Sequence, residues 1–176
     1  AGHSHNKLGG AYIDFGLYRN IAKKNTGVET AQQKQVSVLA TSSYYTFGCG
    51  PVELDVVFTA PMLIDDYDLL STPINYISYQ VRPTDGKSHN VQFYLGTSPL
   101  MAVNKAAQPT VSSTVEHDGV KYVRTGTIEQ PILAKKGDAI CIDWGYLYLP
   151  AINGDVTLGT ENDVKAAFIG TGKLPA

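Results

Sequence analysis

The sequence has little charge, almost no cysteine and no long apolar run. Charged residues make up 17% of the 176-residue chain, against about 25% in an ordinary soluble domain. The 14 Lys and Arg and the 16 Asp and Glu are scattered and leave a formal net charge of -2. With no basic stripe, the chain lacks the electrostatic footprint of a nucleic-acid-binding protein. No segment reaches the ~18 apolar residues of a membrane span, and no polybasic amphipathic stretch marks a membrane surface. The start Ala1-Gly2-His3-Ser4-His5-Asn6 carries no signal-peptide core and reads as a cut, so any targeting signal is expected upstream. Two cysteines are too few for a disulfide scaffold. Cys49 sits in a Gly-Cys-Gly turn and Cys141 between two isoleucines. A bridge between them needs a Cβ separation that sequence does not give; the simpler expectation is one buried thiol and one turn thiol.

Recognisable catalytic assemblies are missing as well. No G-x-S-x-G elbow presents a nucleophile, and no P-loop or G-x-G-x-x-G opens a helix. Gly48-Cys49-Gly50 runs into Pro51 and a strand, which cannot offer a helix N-terminus to a phosphate. His3 and His5 have no further ligand nearby, and His89 and His117 each stand beside a turn. Asp65-Asp66-Tyr67-Asp68 lacks the spacing of a calcium loop and reads as a solvated segment capping Leu69-Leu70. No metal and no cofactor are expected.

What is present is alternation. Residues 52–60 (VELDVVFTA) place Val52, Leu54, Val56 and Phe58 on one side and Glu53, Asp55 and Thr59 on the other, the pattern of a half-buried strand. Residues 35–47 read as one long or bent strand, 74–82 as a strand, and 89–97 as its return after Asp85-Gly86. Residues 111–116 and 120–125 flank His117-Asp118-Gly119, a hairpin signal. Residues 139–149 (AICIDWGYLYL) read as an aromatic strand, 61–70 as an irregular or short helical connection, and 161–169 as a short helix ended by Gly170 to Gly172. Tyr12-Ile13-Asp14-Phe15 could form a short strand or a docking segment. About seven strands with hairpin turns and no long helix indicate an all-β, antiparallel β-sandwich, jelly-roll or supersandwich-like, with a short helix near the C-terminus; a closed barrel is the alternative. The expected organisation is an irregular segment over 1–29, a β-sandwich domain over 30–150, and an extension or linker over 151–176.

Asp143-Trp144 holds the one tryptophan. An exposed indole beside a carboxylate could stack on a sugar and accept hydroxyl hydrogen bonds. A large aromatic in a strand more commonly belongs to a core, with the carboxylate holding a loop.

Several blocks occur together in one order: Tyr45-Thr46-Phe47, Gly50-Pro51-Val52-Glu53-Leu54, Phe58, Pro61, Leu69-Leu70-Ser71-x-Pro73, Tyr76-x-Ser78-Tyr79, Asp85-Gly86-Lys87-Ser88-His89-x-Val91-Gln92-x-Tyr94, and Ile142-Asp143-Trp144-Gly145-Tyr146-Leu147-Tyr148-Leu149. Over residues 30–170 they resemble the β-rich N-terminal region of the secreted glutaminase A-type proteins of fungi and bacteria. The resemblance implies a β-domain preceding a larger helical domain like the six-hairpin toroid of glycoside hydrolases. It also implies hydrolysis of L-glutamine to glutamate and ammonia by the parent protein, and an extracytoplasmic location, secreted, periplasmic or at the cell surface. The resemblance carries no catalytic residue over onto this stretch. The expected role is docking: packing on the helical domain and shaping a wall of its cleft, with Asp143, Trp144 and Tyr146, and more weakly His89 and Gln92, as substrate or interface residues. A carbohydrate-binding or accessory module of a glycoside-hydrolase-like protein is the competing reading, and an autonomous hydrolase the third. Expected partners are the downstream helical domain and a glutamine or glycan ligand, with no nucleic acid and no membrane insertion.

Overall fold

The computed structural model describes residues 13–15, 31–138 and 140–175; the His3 and His5 pair and nearly all of the segment 1–29 lie outside them. The described chain forms two compact units, one of residues 31–93 and one of residues 94–175 that also takes in a strand at 13–15.

The first unit is a four-stranded antiparallel meander: β2 (Gln32–Val38), β3 (Ser42–Cys49), β4 (Val52–Thr59) and β5 (Tyr76–Pro83), in that spatial order. Register places Tyr45 opposite Val56, Phe47 opposite Leu54, and Ser43 opposite Phe58. Since alternate residues share a face, Tyr45, Phe47, Val56 and Phe58 form one apolar face, and all four are buried. Their rings meet edge-on and in parallel: Tyr45 lies 6.0 Å from Phe58 at 87° and 6.0 Å from Phe47 at 9°.

The opposite face is polar, as the alternation over β4 requires. Lys34 binds Glu53 at 2.6 Å, and Arg82 reaches across from β5 to both Glu53 and Asp55. Thr46 donates to Asp55 Oδ1 at 2.7 Å. Gly48 makes room for this network, because a Cβ there would lie 2.9 Å from Lys34 Cε. Lys34 itself is the extra residue at a register shift between Gln33 and Gln35, a bulge that re-aims its side chain.

Residues 35–47 do not form one strand. The chain reverses between Val38 and Ser42, closed by Leu39 N donating to Ser42 O at 2.8 Å. Between β4 and β5, α1 (Tyr67–Ser71) is a single turn whose N-cap Asp66 accepts from Leu69 N at 2.9 Å, so the acidic cluster caps Leu69 as its sequence indicated.

In the second unit, β7 (Thr110–His117), β8 (Val120–Thr127) and β9 (Leu147–Pro150) make a three-stranded antiparallel sheet, while β1 (Ile13–Phe15) pairs with β6 (Leu95–Thr97). Asp118 and Gly119 take φ of 51° and 75°, the two left-handed positions of a tight hairpin turn. A 3-10 turn spans Pro99–Ala102. The helix α2 (Glu161–Thr171) starts at Thr160, whose hydroxyl accepts from Asp163 N, and ends at Gly172 with φ 69°, a left-handed C-cap that glycine occupies without steric cost.

Two strand expectations are corrected here. Of residues 89–97 only Leu95–Thr97 is strand, and among the described residues of 139–149 a strand begins only at Leu147, in Leu147–Pro150. The chain is all-β and antiparallel with a short C-terminal helix, consistent with the sandwich class read from the sequence. No helix among the described residues is long and apolar enough to cross a membrane.

Candidate functional site

Asp143 is buried, and it sits in an irregular segment rather than on a strand. Lys135 forms an ion pair with its Oδ2, and Gln108 Nε2 donates to the same oxygen at 2.7 Å. Gln108 turns its own Oε1 to the backbone, accepting from Asn104 N at 2.7 Å and Lys105 N at 2.8 Å. Thr127, at the buried end of β8, donates to the Asp143 carbonyl at 2.6 Å. Gln130 closes the neighbouring stitch: Gly145 N donates to its Oε1 at 2.6 Å, and its Nε2 donates to Gly145 O at 3.1 Å and Thr127 O at 2.8 Å. Asn104 Oδ1 accepts from Cys141 N at 3.0 Å.

These bonds explain why residues 140–146 leave the strand that their composition favours. Cys141 N, Gly145 N and Gly145 O bond to side-chain amides and Asp143 O to the Thr127 hydroxyl, partners that substitute for a neighbouring strand. The arrangement is a polar knot at the base of a long loop. The ammonium of Lys135, and then the amide of Gln108, hold the Asp143 carboxyl below the ordinary carboxylate range. An ionised carboxylate held by an ammonium and an amide on one oxygen is a poor general acid or base, and these bonds tie the Asp143 segment to Gln108 and Lys135.

Trp144 is half-buried and Tyr146 exposed. Tyr146 lies against Gly126, where a Cβ would come within 2.7 Å of both its Cδ1 and Gly145 O. The Arg124 guanidinium stands 4.7 Å from the Tyr146 ring centre, a cation–π contact worth ~0.5–1 kcal/mol at an exposed site. Tyr148 meets Tyr146 and Tyr122 edge-on at 6.4 and 6.3 Å.

His89 and Gln92 belong to the other unit. His89 Nε2 lies 2.9 Å from Asp85 Oδ1, which also accepts from Lys87 N at 3.0 Å. The His89 ring, then the Lys87 amide, lower the Asp85 carboxyl. This pair fastens the Asp-Gly turn. Gln92 is exposed, beside Phe93, which stacks on Tyr79 at 4.0 Å. Sequence reasoning missed Asn104, Gln108, Thr127, Gln130 and Lys135. The one signal for them was that a buried carboxylate demands partners. Among the described residues no three His, Cys, Asp or Glu side chains come together as a metal site, and both cysteines are free thiols.

Glu53 is likewise held low, by Lys34 first and then by Arg82. A carboxylate with a depressed folded pKa contributes stability that is complete above its unfolded value, about 3.9 for Asp and 4.3 for Glu. That stability is lost as pH falls through the folded value. The melting temperature is therefore expected to be flat from pH 7 down to about 5 and to drop below about pH 4. Asp143→Asn should give a shallower drop, and thermal melts across this range check both. Equal acid slopes in the two proteins would remove Asp143 from the account.

Residues 41–176 match the DUF5127 family, described as a domain of unknown function. Glutaminase A of Aspergillus oryzae (strain ATCC 42149 / RIB 40) is 29% identical over 150 residues, covering 82% of this chain and 21% of that protein. The chain thus spans about a fifth of the length of the curated relative it matches. No solved structure matches it. With three quarters of its length inside the family match, and with the Asp143 and Gly145 seam inside it, the chain belongs to the DUF5127 family and is a glutaminase-related domain.

Proposed function

We propose that this chain is a non-catalytic β-domain of a glutaminase-like hydrolase, and that it packs on a larger helical body of the same polypeptide and shapes one wall of its active site. The observation that carries this reading is the apolar surface of the loop between β8 and β9. Ile128, Ile132, Leu133 and Ile142 are 62%, 67%, 77% and 68% exposed. Among the described residues only six apolar side chains are buried: Tyr45, Phe47, Val56, Phe58, Val103 and Val164. Four aliphatics this exposed within one loop are the kind of surface that an interaction partner covers.

The loop is also held ready for a partner. Gln130 and Leu133 have φ of 47° and 52°, a conformation that costs a non-glycine residue roughly 1–2 kcal/mol and persists only where the surroundings impose it. The polar knot around Asp143 and Gln130 is that surrounding. A loop already fixed loses little conformational entropy on docking. Trp144 and Tyr146, next to Asp143 in the same segment, would add aromatic surface at the edge of the contact. Low charge and many hydroxyl and amide side chains support an extracytoplasmic location.

The test is ammonia release from L-glutamine by this chain and by the parent polypeptide. Release by the parent alone is the expected result. Turnover by the isolated chain would overturn the non-catalytic role. Silence in both would overturn glutamine as the substrate.

A further inference from the structure

We infer that the polar face of the four-stranded sheet carries a binding site for a neutral saccharide. A shallow concavity of about 260 Å³ opens on this face, lined by Gln35, Tyr44, Tyr45, Thr46, Asp55 and Val57. Its shape follows from the register. Thr46 lies between Gln35 on β2 and Asp55 on β4, and Tyr44 lies beside Val57 one row away. Thr46, Tyr44 and the ion-paired Asp55 all line it. The volume is just below the roughly 300 Å³ at which pockets for larger ligands begin, so it suits one ring of a longer glycan.

Charge decides the class of ligand. Lys34 and Arg82 are matched by Glu53 and Asp55, and all four are ion-paired. An anion would have to displace Glu53 or Asp55 and a cation would have to displace Lys34 or Arg82, so neither is favoured. A hydroxyl needs no such exchange. Asp55 Oδ1 accepts one hydrogen bond from Thr46 and Oδ2 one from Arg82, and each carboxylate oxygen can accept a second. Gln35 and, one strand beyond Asp55, Gln80 present exposed amides on the same face. Each offers two donors and an acceptor. Tyr44, 42% exposed, supplies with Val57 the apolar surface that the C–H face of a sugar ring packs against. The accessible lining of the concavity is mostly apolar, while hydroxyl, amide and ion-paired groups stand around it, the combination that one face and the rim of a sugar ring meet.

The proposal stands apart from the docking reading. It concerns the other unit and is tested on this chain alone, with no enzymatic readout. Titration calorimetry with neutral hexasaccharides (malto-, cello-, laminari- and manno-) and with hexagalacturonate as an anionic control reads it directly. At least one neutral glycan is expected to bind with a Kd below about 1 mM, and hexagalacturonate not to bind. Tyr44→Ala should weaken binding at least tenfold and Gln35→Ala several-fold, whereas Tyr148→Ala, on the other unit, should leave it unchanged. Gln35 is exposed, so its variant decides the matter if Tyr44→Ala fails to fold by circular dichroism. The proposal is overturned by no neutral binder below that limit, by a preference for hexagalacturonate, or by binding that survives Gln35→Ala and any folded Tyr44→Ala.

Discussion

Phe58→Ala should lower the stability of the chain by about 3 kcal/mol, a fall in melting temperature of roughly 6–12 °C for a chain of this size. Phe58 is 8% exposed and meets Tyr45 edge-on, while Tyr45 in turn stacks on Phe47. Removing the ring deletes its transfer energy and leaves a void beside the Tyr45 ring. The effect is large because the apolar face of this sheet has few buried members to share the loss. Ile64→Ala is the internal control. Ile64 is 74% exposed in the crossover between β4 and β5, and its truncation should change stability by less than about 0.5 kcal/mol. Chemical denaturation of the three proteins reads both numbers. Equal stability of Phe58→Ala and the parent sequence would move the core elsewhere.

A charge placed on the loop between β8 and β9 should do the reverse, sparing the chain and breaking its docking. In the combined variant Ile132→Asp, Leu133→Asp and Ile142→Asp, the isolated chain should keep its melting temperature within a few degrees, because all three side chains are already exposed. Association with the separately produced remainder of the parent polypeptide should weaken by about a thousandfold or more. Burying one Leu or Ile side chain is worth about 1.5–3 kcal/mol, so three contribute on the order of 5 kcal/mol or more, and each 1.4 kcal/mol is a factor of ten. Sedimentation titration of wild type and variant measures the difference. Loss of folding in the isolated variant would show that the loop is core, and unaltered association would show that the partner binds elsewhere.

Much of the fold was legible because it rests on local rules. The alternation over β4 separated Val56 and Phe58, now buried, from Glu53 and Asp55, now ion-paired. His117-Asp118-Gly119 announced its hairpin through two positions able to take positive φ, and Gly172 ended α2 in the left-handed conformation that the glycine cluster suggested. The reversal at residues 39–41 was hidden because Leu39-Ala40-Thr41 contains none of the usual turn formers. The candidate site was legible only in part. Asp143 stood out, and the role of a carboxylate holding a loop was one of two readings of it. Its partner Gln108 lies 35 residues earlier, and nothing local marks an amide as the partner of a distant carboxylate. The same non-local bonding explains why residues 140–146, rich in β-formers, are not strand: Gln130 and Asn104 satisfy the backbone that a neighbouring strand would otherwise pair. The concavity on the first sheet needed the register of three strands before Gln35, Thr46 and Asp55 could be seen as neighbours.

The central claim, that the loop between β8 and β9 is a docking surface for the rest of a larger polypeptide, is tested most directly by amide hydrogen exchange. Exchange over residues 128–142 should be measured in this chain alone and within the parent protein. The account predicts strong added protection there in the parent, with exchange at the exposed hairpin tip of Asp118 and Gly119 unchanged. Equal exchange over 128–142 in both would contradict it.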